Sequence, residues 1–234
     1  MTPPGADRGL MLALDTATAQ ASVAVHDGGH LLAETTWMAG REHSAMLMVE
    51  VSRTLERAGQ SRANLTGLAV TRGPGSFTGV RVALSVAKGL AAGLGVPLWT
   101  ATTLEVLAYA AGPVDLPVRA AVDAGRGRVA TALFAGGHQV QPTVGMAIEN
   151  LAALDVDATF LVGDIPQRLR AVLAAMPHLH VLSAALSARR AGLLAELAWA
   201  AARRGEPGDP ATADAEYLER QGQPVQRSGW GQTT

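Results

Sequence analysis

The sequence predicts an α/β protein with parallel strand pairing, and three observations carry that prediction. Strand-like and helix-like segments alternate along most of the chain. Each half opens on a pair of apolar runs of period two and then switches to the alternating pattern, which suggests an internal duplication. Gly112-Pro113, with Pro117 close behind, punctuates the middle of the chain. The expectation is two related units, 1–111 and 112–206, each a mixed sheet with flanking helices, followed by a tail at 207–234.

In the first unit, runs at 10–14, 22–25 and 31–35 read as an antiparallel meander. Asp27-Gly28-Gly29 is its sharpest turn signal, because glycine takes the positive φ that a tight hairpin demands. A helix follows at 42–58, with Leu47, Val51 and Leu55 on one stripe and Gly59 as its stop. A short strand at 68–71 leads through Arg72-Gly-Pro-Gly-Ser-Phe-Thr-Gly-Val-Arg81 into a helix at 78–94. A strand at 96–99 precedes a helix to 111, announced by the capping-box spacing of Thr102 and Glu105. The second unit offers strands at 118–122 and 129–134, the latter continuing toward 140. Then come a helix (148–154), a strand (160–162), a helix (166–175), a strand (180–182) and a long helix (187–204). Prolines and glycines predict an irregular tail with one ordered piece near Tyr217-Leu218.

Composition narrows the function classes. The chain has 234 residues, 48% of them hydrophobic, which is enough for real cores and excludes a disordered peptide. Only 17% are charged and the formal net charge is -1, so no global field gathers polyanions, and nucleic acid must be met by a local patch. The absence of cysteine excludes disulfides, thiolate metal sites and cysteine nucleophiles, and suits a reducing compartment. The polar, Pro/Gly-rich start predicts no signal peptide. The apolar stretch 80–94 is interrupted by Arg81, Ser85, Lys88, Gly89 and Gly93, which predicts no membrane span. A soluble cytoplasmic protein is expected.

The loop at 72–81 stands where a strand hands over to a helix, so free N–H groups and the positive end of the helix dipole point out of it. Gly73, Gly75, Ser76, Thr78, Gly79 and Arg81 are therefore candidates for holding an anion. The alternative is that the glycines only make a tight turn and that Ser76 or Thr78 caps the helix. A Walker loop is excluded, because Gly79 is followed by Val80-Arg81 rather than Lys-Ser/Thr. Asp15-Thr16-Ala17-Thr18 could hold a metal-bound water and a phosphate, or could tie the hairpin as an Asx turn; the Ala17 Cβ favours the turn. Asp123 to Arg128 occupies the corresponding place in the second half. His26 and His30 are four apart, but on hairpin sequence rather than helix, so no metal site is expected there. No Gly-x-Ser-x-Gly elbow supports a serine hydrolase, and no cofactor is assigned.

The helices at 42–58 and 78–94 carry a different signal. In the second of them Val80, Val82, Ala83, Leu84, Val86, Ala87, Leu90, Ala91 and Leu94 wrap most of the circumference, while Gly89, Ala92 and Gly93 permit close approach. Such a helix is either central in its own domain or half of an interface. The interface candidates are Met46, Val49, Arg53, Val82, Val86 and Leu90.

These motifs resemble a known family. Residues 12–34, Arg-Glu-His-Ser-Ala-Met-Leu-Met at 41–48, residues 71–91 with Arg-Gly-Pro-Gly-Ser-Phe-Thr-Gly-Val-Arg, and residues 121–134 are similar to TsaB, also called YeaZ, the bacterial family of threonylcarbamoyladenosine (t6A) tRNA modification. The resemblance covers 10–135, with a weaker echo at 215–220. It implies an actin/Hsp70/sugar-kinase-like fold of two related domains and a subunit without catalysis. It also implies pairing with TsaD, which binds nucleotide and metal and transfers the threonylcarbamoyl group to adenosine 37, and with the small ATPase TsaE. The two first-domain helices would form a bundle with TsaD or, in its absence, with a second copy, and tRNA would be met through the complex. The helical histidine pair that a catalytic paralogue needs for metal is missing. Arg128, where the family commonly has an acidic residue, and Glu219, which interrupts a tyrosine-leucine-arginine element, depart from the pattern. The rivals are an actin-like ATPase or kinase acting alone through Asp15, Asp123 and the loop from Gly73 to Gly79, and a metallopeptidase.

Overall fold

The computed structural model describes residues 9–40 and 43–218, without the side chains of His43 and Ser44. Arg41 and Glu42 of the Arg-Glu-His-Ser motif, and Glu219 and Arg220 of the tail echo, lie outside the described residues. The first sheet contains β1 (Met11–Asp15), β2 (Gln20–His26), β3 (Leu31–Met38), β4 (Gly67–Thr71) and β5 (Leu98–Ala101), in the order β3-β2-β1-β4-β5. β1, β2 and β3 form the expected antiparallel meander, and β4 and β5 add in parallel. Around this sheet run α1 (His43–Arg57), α2 (Phe77–Leu94) and α3 (Thr103–Ala110).

The second sheet contains β6 (Val118–Gly125), β7 (Arg128–Ala135), β8 (His138–Gln139), β9 (Val144–Ala147), β10 (Thr159–Gly163) and β11 (Leu179–Val181). Its order is β11-β10-β6-β7-β8, with β9 also on β7. α4 (Gln167–Ala174) and α5 (Ala191–Arg203) complete the chain. Both sheets thus begin with an antiparallel pair and grow by parallel strands, in the mixed arrangement the sequence predicts.

β1 is buried along its whole length because both faces are covered, and alternation deals its residues to two cores. Leu12 and Leu14 join Leu47, Val51, Val80 and Ala83 beneath α1 and α2. Met11 and Ala13 join Ala191, Leu194, Ala195 and Trp199 of α5. That second face is floored by Ala13, Ala24, Ala69 and Ala101, so an alanine-rich helix seats closely on it.

Several elements differ from expectation. The long helix starts at Ala191 rather than 187, since the chain is extended at Arg190 (φ -120°, ψ 126°). It packs on the first sheet, not the second, whereas Leu104 and Leu107 of α3 pack with Val118, Ala120 and Val122 of the second sheet. Chain order alone cannot show such crossing. Residues 148–153 form a 3-10 turn, and Gly136 (φ 57°) and Gly137 (φ 78°) break the run toward 140 into β7 and β8. β9, paired with β7, has no counterpart among the expected strands. α2 is long and apolar enough to cross a membrane by length and composition alone, and its inner face is in the core of the first sheet.

Candidate functional site

In an open α/β sheet ligands gather beyond the carboxyl ends of the strands. Asp15 ends β1 there, with its side chain 1% exposed. One carboxylate oxygen accepts the Ala17 N–H (2.8 Å) and the Thr71 hydroxyl (3.1 Å), which makes the Asx turn. The other accepts Nε of Arg189 at 3.0 Å. Arg189, from the extended segment before α5, is equally buried. Its Nη1 reaches Asp164, just after β10, at 2.8 Å, and its Nη2 donates to Thr18 Oγ1 (2.6 Å) and to the Gln20 carbonyl (3.0 Å). Burial pulls the Arg189 pKa down, but Asp15 and Asp164 more than offset this, so it lies above its ordinary value.

The glycine loop faces the same turn but grips it with backbone. A Cβ on Gly75 would lie 2.1 Å from the Ala17 carbonyl oxygen, and one on Gly79 would lie 2.1 Å from that of Thr16. The Ser76 N–H donates to Ala17 O (2.6 Å), and the Thr16 hydroxyl donates to Gly79 O (2.6 Å). Ser76 Oγ caps α2 by accepting the Gly79 N–H at 3.2 Å, in agreement with the capping alternative. Gly73, at φ 99°, passes its carbonyl to the Thr103 N–H. Thr78 is exposed on the first turn. Arg81 stacks 3.7 Å above Phe77 and donates from Nε to the Tyr217 hydroxyl (2.7 Å). Of the loop's donors, the N–H groups of Ser76 and Gly79 are thus spent inside the chain.

Asp123 does not join Asp15. It is exposed and accepts the Gly125 N–H at 2.8 Å in a turn of its own. His26 Nδ1 accepts the Gly28 N–H (2.9 Å), and His30 leans on Asp27 (3.4 Å), so the pair serves the hairpin. Burial lowers the His26 pKa, with Glu196 and Asp27 opposing and Arg203 and His30 adding to the shift. Among the described residues no three His, Asp or Glu side chains gather as a metal site.

On the α1 and α2 face, Val49 is 43% and Leu94 36% exposed. Met46, Val82, Val86 and Leu90 are half-buried, the last three with their inner edges against the first core. Arg53 lies exposed across Glu50 at 2.8 Å. A Cβ added to Gly89 or Gly93 would meet nothing within 4 Å. The tail runs beside α2. Ala213 enters the first core, Asp214 meets Lys88 (3.4 Å), the Glu216 N–H donates to Arg72 O (2.6 Å), and Leu218 packs on the core that α3 shares with the second sheet. Burial raises the Glu216 pKa, Arg72 opposes this and Glu105 adds to it. Sequence reasoning misses Arg189 and Asp164, and also the buried Arg119–Asp155 pair (2.6 Å), because no local pattern marks partners that only the fold brings together.

The family model described as "TsaD: tRNA N6-adenosine threonylcarbamoyltransferase" matches residues 37–160. The protein TsaB of Escherichia coli K12, named for tRNA threonylcarbamoyladenosine biosynthesis, is 39% identical over 121 residues, 51% of this chain and 52% of that one. Its Bacillus subtilis 168 namesake is 32% identical over 124 residues, 53% and 54% of the two chains. The chain thus spans about half the length of the curated relatives it matches. The solved YeaZ of Pseudomonas aeruginosa superimposes with a TM-score of 0.74 at 30% identity, over 90% of this chain and 100% of that one. The ethanolamine utilization protein EutJ of Carboxydothermus hydrogenoformans (TM-score 0.54, 15% identity, 84% and 91% of the two chains) shares the fold. The motifs of the first half, the family model across the middle and a whole YeaZ chain overlaid on two mixed sheets agree: this chain belongs to the TsaB/YeaZ family and has the actin/Hsp70/sugar-kinase-like fold.

Proposed function

We propose that the chain is a non-catalytic scaffold and activator in t6A modification of tRNA, docking on TsaD through α1 and α2, with TsaE completing a cytoplasmic complex. A second copy covers the same face when TsaD is absent, and tRNA is met through the assembly. One observation carries this reading: α2 is apolar by composition, yet Val82, Val86 and Leu90 are only half-buried and Leu94 is 36% exposed. These four side chains, with Val49 of α1 and the bare backbone of Gly89 and Gly93, suit a partner helix at close range. Standard interfaces bury about 800 Å² per partner, a size that two adjacent helices can offer.

Asp15 supports the absence of catalysis, since its Oδ2 is held by Arg189. An ATPase acting alone has less to stand on, with Asp123 at an exposed turn and the loop bonded to the Thr16-Ala17 backbone.

The sharpest test is Gly89→Glu. The site has open space, and replacing a mid-helix glycine is worth roughly 0.5–1 kcal/mol in the variant's favour, so the fold should be kept. The variant should fail to co-elute with TsaD and should form no t6A in a reconstituted mixture. An unchanged heterodimer on size-exclusion chromatography would refute the docking face. Val86→Glu is a poorer probe, because Val86 also packs against the first core.

A further inference from the structure

We infer that Arg189 is a built-in cation, standing where a hard divalent cation would otherwise bridge the two sheets, and that the chain closes this cleft with its own guanidinium. The inference is compatible with the docking role and does not depend on it.

Asp15 ends β1 in one sheet and Asp164 follows β10 in the other, and both carboxylates converge on one guanidinium, at 3.0 and 2.8 Å. Its remaining bonds go to Thr18 Oγ1 and the Gln20 carbonyl. All four partners are oxygens, two of them anionic. That set suits Mg2+, Mn2+ or Ca2+ and has nothing for a soft metal.

Electrostatics requires something positive there. Asp15 is 1% exposed, and burying a carboxylate is costly unless it is paired and hydrogen-bonded. The guanidinium meets that need with a fixed fork of donors, and it arrives covalently attached. Its backbone N–H is anchored as well, to Gln20 Oε1 at 2.9 Å.

Space argues the same way. A metal–nucleotide, the group associated with this fold class, needs room for phosphate opposite the acidic turn. The loop has closed that room, with the Thr16 and Ala17 carbonyls 2.1 Å from where a Cβ on Gly79 or Gly75 would be. The residues present do not fit the group, and the cleft is held shut by an internal ion pair.

The test uses the full chain, Mn2+ as probe and electron paramagnetic resonance to count free metal. The parent should leave millimolar Mn2+ free. Arg189→Ala should bind one Mn2+ per chain at least tenfold more tightly than the parent, and Asp15→Asn in the Arg189→Ala background should abolish the gain. A folded Arg189→Ala that takes up no more Mn2+ than the parent overturns the inference, and so does a double variant that binds as well as the single one. Should Arg189→Ala not fold alone, it is refolded with and without Mn2+. Native tryptophan fluorescence regained only with the metal supports the inference, and failure in both overturns it. None of these outcomes bears on the docking face, which Gly89→Glu reads separately.

Discussion

At the scale of the residue, glycines that look alike in sequence do different work. Gly75 lets two backbones touch, so Gly75→Ala must push a carbonyl aside and should cost about 1–3 kcal/mol or more in urea unfolding. Gly89→Ala meets nothing and should stabilise by about 0.5–1 kcal/mol. His26 titrates with a definite sign. Its pKa is lowered from 6.5, so the folded state binds the proton less tightly than the unfolded chain. The stability this contributes is present above 6.5 and is lost as pH falls through that value toward the folded one. Thermal scans from neutral pH downward should show it. His26→Asn, whose side-chain oxygen can still accept the Gly28 N–H, should flatten the slope.

At the scale of the element, the Thr102–Glu105 box was legible because capping needs only residues three apart. Both bonds form, at 2.6 and 3.0 Å. Thr102→Ala should cost about 1 kcal/mol, read as a lower denaturation midpoint at unchanged slope. The tail was legible only in part. An ordered Tyr217 follows from the sequence, but nothing local says that it clasps Arg81 while Ala213 enters a core. Glu216, in the tail, also titrates with a definite sign. Its raised pKa means that the stability it contributes is present below 4.5 and is lost as pH rises through the folded value. Glu216→Gln should therefore leave the protein at least as stable as the parent at neutral pH, by thermal melt.

At the scale of the whole molecule, α3 and α5 pack across the boundary that chain order suggests, and Arg189 ties the two sheets. The two halves should then unfold together. Trp37, Trp99 and Trp199 report on the first sheet while circular dichroism reports on both, so their urea transitions should coincide. Separate midpoints would show that the crossing helices do not couple the halves.

The sequence by itself determined the meander, the alternation of strands and helices, the capped helix starts and the apolar excess of α2. Each of these is written in neighbours two, three or four residues apart, where backbone geometry alone sets the outcome. The tertiary structure decided which sheet receives each helix, which glycines meet backbone and which meet solvent, and what faces Asp15. Those depend on groups 174 residues apart, as with Arg189 and Asp15, and only packing and the need to pair a buried charge bring them together.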